Sequence, residues 1–101
     1  MPKLYEYLGL IVLFYANEHE PIHVHAKCQG RESKAELVLV DGRLEEILLK
    51  DVRGKSPLSA VELGNFRELV EHYADDIVQK WIDFFVLHKS FPPLRIDGRI
   101  K

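Results

Sequence analysis

Leu63, Phe66, Val70, Tyr73, Ile77, Trp81 and Phe84 recur at spacings of three and four. That period draws one apolar stripe down a helix, and such a stripe requires an opposing apolar surface. Ser59 followed by Glu62 fits a capping box, in which the hydroxyl and the carboxylate each satisfy an orphan backbone N–H. Lys89, Ser90 and the Pro92-Pro93 pair close the helical stretch. A straight helix over 60–87 would run ~42 Å. A single domain of this size has a radius of gyration near ~13 Å, so a break is expected around His72 to Asp76. Asp75 and Asp76 then open the second segment, where acids favour a helix N-terminus.

The residues before 59 must supply the surface that this stripe covers. GLIVLFYA (9–16) is β-branched, aromatic and apolar on both faces, which reads as a strand buried on both sides. Asn17 to Pro21 is a polar turn ended by proline. IHVHAKC (22–28) alternates, with Ile22, Val24, Ala26 and Cys28 on a dry face and His23, His25 and Lys27 on a wet one. After a polar loop at 29–33, KAELVLV and RLEEILL flank Asp41-Gly42, a type I′ hairpin signal that sets Leu39 opposite Leu44. The fold expected is α+β: an antiparallel sheet of about four strands, then one long broken helix or two helices packed on one face. One domain covers 1–101, with the sheet in 4–50, a connector at 51–58, helices in 59–88 and a basic tail at 89–101.

Composition narrows the function classes. The hydrophobic share is 47% and the charged share 30%, as in an ordinary globular domain. One cysteine, Cys28, cannot staple the fold and reads as a small buried hydrophobe in a reducing compartment. No apolar run reaches the ~20 residues of a membrane span, so no membrane partner is expected and the cytoplasm is the expected address. The net charge of −2 argues against binding nucleic acid over the whole surface. Residues 59–88 hold two Lys/Arg against six Asp/Glu, whereas 89–101 hold four against one. The tail is thus suited to an acidic contact, its own helix being the nearest. Glu68, His72 and Asp76 share one helix face and read as solvated, and His88 suits the helix dipole. Trp81, Ile82 and Phe84 to Leu87 point all round a helix at 100° per residue. Either the tail 91–101 or a partner must cover their far side.

The chemistry-bearing stretch is HEPIHVH (19–25), which holds three of the five histidines. Imidazoles at i and i+2 of a strand stand ~6.6 Å apart on one face. His19, in the preceding turn, can fold back as a third group. Three readings follow. The histidines form a polar strand face that pairs with acids; or His19, His23 and His25 act as acid and base on a substrate such as RNA; or the same three bind zinc. The spacing is not a recognised zinc signature.

The stretch GLIVLFYANEHEPIHVHA, the hairpin AELVLVDGRL and the helix end DDIVQKWIDFF together resemble a bacterial family called domain of unknown function 4160. Many members carry a second proline where this chain has Ile22 and an aromatic residue where it has Cys28. The resemblance implies no settled activity, and whether the chain is an enzyme stays open. It implies a small protein partner encoded nearby, in a two-gene module of toxin–antitoxin type. A homo-oligomer is the other expected association, and RNA is the partner that the hydrolase reading implies.

Overall fold

Three X-Gly dipeptides organise the sheet. In the computed structural model, which describes residues 2–15 and 21–100, Leu8-Gly9, Gln29-Gly30 and Asp41-Gly42 all have positive φ at both positions. That is the type I′ conformation, whose twist matches the strands it joins. The turns link β1 (Lys3–Tyr7) to β2 (Leu10–Leu13), β3 (His23–Cys28) to β4 (Arg31–Val40), and β4 to β5 (Arg43–Asp51). Leu39 faces Leu44, as the Asp-Gly turn requires.

The sheet has six strands rather than four, in the order β5-β4-β3-β2-β1-β6, and it is mixed rather than purely antiparallel. Two strands account for the difference. β1 lies before the apolar run and alternates Tyr5 and Tyr7 inward. β6 (Leu94–Ile96) lies in the tail and pairs parallel to β1. Its direction follows from the route, since the chain returns to the sheet only after crossing its face in helices. The strand expected over 9–16 is shorter, and Ile11 at its middle is exposed, so only one of its faces is fully covered.

Cross-strand register assigns the faces. Val12, Ala26 and Ser33 are successive partners and share the side on which the helices pack. Leu13, His25 and Lys34 are successive partners on the other side. α1 (Ala60–His72) buries Phe66, Leu69 and Val70 against the first face, and α2 (Ala74–Trp81) adds Ile77 and Trp81. The Ser59–Glu62 capping box is formed, and the helix breaks at Tyr73 (φ −107°, ψ 20°). The break is necessary, because the longest dimension of the molecule is 33 Å, shorter than a straight helix of this stretch.

Beyond Trp81 the helix widens into a π-helical turn, Ile82–Val86, closed by Leu87 N–H to the Ile82 carbonyl at 3.0 Å. Extra width changes the angular step, so the adjacent rings of Phe84 and Phe85 both reach Phe14, at 6.4 and 5.6 Å between centroids. An ideal α-helix would send one of them away. The tail packs Phe91 and Ile100 against the core, Phe91 beside Lys80 of α2 and Ile100 beside Tyr7 and α1. Arg99 meets Glu68 of α1 at 3.1 Å, so the basic tail does find its own acidic helix. Ile82, Val86 and Leu87 stay exposed.

Candidate functional site

Register sets His23 and His25 on the opposite side of β3 from Val24 and Ala26, as the alternation predicts, but that side is not wet, and Trp81 of α2 reaches the His23 ring there. The two residues are 8% and 6% exposed. The expected solvated polar strand face is therefore corrected, for a physical reason that lies outside β3. Tyr15, just past the end of β2, sets its ring edge-on to His25 at 4.5 Å, and the Trp81 indole lies 5.6 Å from the His23 ring. The two imidazoles meet edge to face, 5.4 Å between centroids and 60° between planes.

Each ring is held through Nδ1. His23 Nδ1 lies 2.8 Å from the Pro21 carbonyl, which can only accept, so Nδ1 carries the proton and the neutral ring keeps its lone pair on Nε2. His25 Nδ1 lies 3.0 Å from Glu32 Oε2, and the same oxygen accepts the Tyr15 hydroxyl at 2.9 Å. Glu32 is 2% exposed. Burial raises the Tyr15 phenol above its ordinary pKa; Lys27 opposes this and Glu32 reinforces it, so the hydroxyl stays a donor at neutral pH. A carboxylate that fixes a histidine through Nδ1 orients the ring and makes Nε2 the basic nitrogen, which suits either a ligand or a general base.

His19, the third histidine of the proposed catalytic or zinc set, lies outside the described residues. Among the described residues no group of three His, Cys, Asp or Glu side chains is placed to hold a metal ion. Glu32 and Tyr15 escaped the sequence reading, although a signal for the first was available. Reading Gln29-Gly30 as a two-residue turn pairs Cys28 with Arg31 and Lys27 with Glu32, which puts Glu32 diagonal to His25.

The acids of the helix face are also not simply solvated. Asp76 accepts the Tyr5 hydroxyl at 2.5 Å and Lys80 at 2.6 Å, while Glu68 accepts from the Tyr7 hydroxyl and from Arg99. Burial pushes the Asp76 carboxyl up, but Lys80 and the Tyr5 hydroxyl together hold it below its usual value. Cys28 is buried, as its alternation predicts, and burial followed by Glu62 raises its thiol. Arg31 grips Glu62 at 2.9 and 2.6 Å, and the Arg31 guanidinium followed by the Ser59 amide holds that carboxyl well below the usual carboxylate range. His88 ends the helix by its backbone, holding the left-handed conformation just past the last turn at φ 54°.

The family described as Domain of unknown function (DUF4160) matches residues 9–82, well over half of the chain. The chain belongs to this family. The match runs from the Leu8-Gly9 turn through α2, so the DUF4160 region includes the histidine strand, Glu32 and the helix break, while β1 and β6 flank it. No curated protein and no solved structure matches the chain. No helix among the described residues is long and apolar enough to cross a membrane.

Proposed function

We propose that this DUF4160 chain is the protein-binding half of a two-gene bacterial module of toxin–antitoxin type, acting in the cytoplasm. The observation that carries the reading is the end of the helical layer. Within one turn, Ile82, Val86 and Leu87 are exposed at 37%, 62% and 49%, beside the half-buried Phe84 and Phe85. Apolar side chains gathered in one place call for a partner, whereas scattered ones do not. The acidic balance of 59–88 suits a protein better than RNA, whose backbone needs a run of cations. Co-expression with the small protein encoded beside it tests the reading. The two are expected to co-purify, and Val86→Asp with Leu87→Asp to abolish the complex while the circular dichroism of the chain stays unchanged. Elution of the chain alone, or only as a homo-oligomer, overturns it.

A second reading has its own support. The imidazoles of His23 and His25, each held through Nδ1, are organised as a general base or a ligand set would be, and His19 would complete a catalytic or zinc-binding trio. Toxicity of the chain expressed alone, relieved by the neighbouring protein and abolished by His23→Ala, would establish a hydrolase. Joint shifts of all three rings in the histidine NMR spectrum at stoichiometric zinc would establish the metal site.

A further inference from the structure

We infer that the hollow beside the π-helical turn recognises a partner protein through a short segment whose apolar side chain is flanked by carboxylates. The inference rests on the protein-binding reading and specifies what that partner must present. The hollow, about 400 Å³, is lined by Phe84, Phe85, His88, Lys89 and Ser90. Two aromatic rings make an apolar floor that takes a leucine, isoleucine or phenylalanine side chain. Val86 and Leu87, both exposed, extend that surface outward.

Charge selects the flanks of the segment. Among the described residues the other cations of α2 and the tail are already matched: Lys80 with Asp76, Arg95 with Asp97 and Arg99 with Glu68. Among the described residues neither His88 nor Lys89 takes part in an ion pair. The rim therefore offers one ammonium and one imidazole above an apolar floor, a pattern complementary to one or two carboxylates beside an apolar anchor. A nucleic acid would need a longer cationic track than this rim provides. Backbone geometry marks the same place. His88 sits at φ 54°, where glycine is favoured, and its chain reversal lets Lys89 N–H reach the Asp83 carbonyl at 2.7 Å. An αL residue with a side chain, directly after a π-helical turn, is a local cost that concentrates at binding sites.

A library of random dodecapeptides selected against the full chain tests the inference. Selected peptides are expected to carry Leu, Ile or Phe next to Asp or Glu, and to shift the ring resonances of Phe84 and Phe85. Lys89→Glu is expected to weaken them by about 10-fold or more, the loss of a charge-assisted contact together with a new repulsion. Val86→Ser with Leu87→Ser should weaken them comparably, with the thermal midpoint as the check on folding. No enrichment, enrichment without acidic residues, or unchanged affinity in Lys89→Glu overturns the inference. The complex with the neighbouring protein separates the two levels. If it forms and survives Lys89→Glu, the hollow is not its site but the protein-binding reading stands. If no complex forms, both fall.

Discussion

Glu32 shows what a single buried carboxylate does to a strand face. Two donors, Tyr15 and His25, converge on one of its oxygens, and no buried polar side-chain atom among the described residues lacks a partner. Removing the carboxylate leaves those donors buried without their acceptor, which typically costs more than the bond itself contributes. Glu32→Ala is expected to lower stability by about 2–3 kcal/mol and Tyr15→Phe by about 1 kcal/mol. Both are read as shifts of the urea midpoint at constant slope. A wet strand face would give under ~0.5 kcal/mol for either. Titration offers a second test at this scale. Asp76 and Glu62 have folded pKa values below their unfolded ones, so their contribution is present above the ordinary carboxylate range near ~4 and is lost as pH falls through the folded values. Tyr5 is raised, by burial first and then by its bond to Asp76, so its contribution is present below pH ~10 and is lost as pH rises above it. Urea midpoints measured across pH should decline on both flanks. Asp76→Asn with Glu62→Gln should flatten the acid flank.

At the scale of elements, the turns decide the register, and the turns differ in quality. A type I′ turn needs positive φ at both central residues, which asparagine, aspartate and glycine adopt cheaply and leucine does not. Asp41-Gly42 satisfies this, whereas Leu8 holds φ 48° while 40% exposed. Leu8→Asn should therefore raise stability by about 0.5–1 kcal/mol, checked by the thermal midpoint. Gly9→Ala should lower it through the backbone, because its φ is 83° and an added Cβ would meet only Cys28 Sγ, at an ordinary 3.9 Å. The β5 edge is managed by two devices. Leu37 N–H donates to the Ile22 carbonyl at 2.9 Å, so Ile47 opposite it turns its own polar groups outward, and Arg67 Nη2 donates to the Ile47 carbonyl at 3.2 Å. In the next pairs, Val38 faces Glu46 while Leu39 faces Leu44, and this bulge leaves Glu45 without a cross-strand partner. A capped and bulged edge resists the addition of another strand, which leaves the helix end as the better contact surface.

For the molecule as a whole, the tail is part of the fold. β6 continues the sheet beyond β1, Arg99 reaches Glu68, the Ile100 amide donates to the Tyr7 hydroxyl at 3.1 Å, and Phe91 packs on the core. Ending the chain after Ser90 removes those contacts and bares the β1 edge. The expected loss is about 3 kcal/mol, from three half-buried apolar side chains, Phe91, Ile96 and Ile100. Dye binding and association seen by light scattering should rise with it. A truncated chain of unchanged size and unchanged dye binding would show the tail to be dispensable.

The sequence by itself determined the features whose cause is local. The Asp41-Gly42 turn, the Ser59–Glu62 cap and the apolar stripe of 63–84 each depend on residues a few positions apart and are formed as read, while the alternation of 22–28 holds in side-chain direction but not in the wetness expected of His23 and His25. The helix break near Tyr73 was also legible, because a length constraint replaces a local signal there. Tertiary structure decided the rest. β6 has three residues and is a strand only because β1 lies beside it. The π-helical turn exists because both Phe84 and Phe85 can pack on Phe14, a gain that no helical period records. The histidines were found by composition and their face by alternation, but their burial came from Tyr15, Glu32 and Trp81, brought in from three other elements. Alternation reports which way a side chain points. What lies on that side is set by the path of the whole chain.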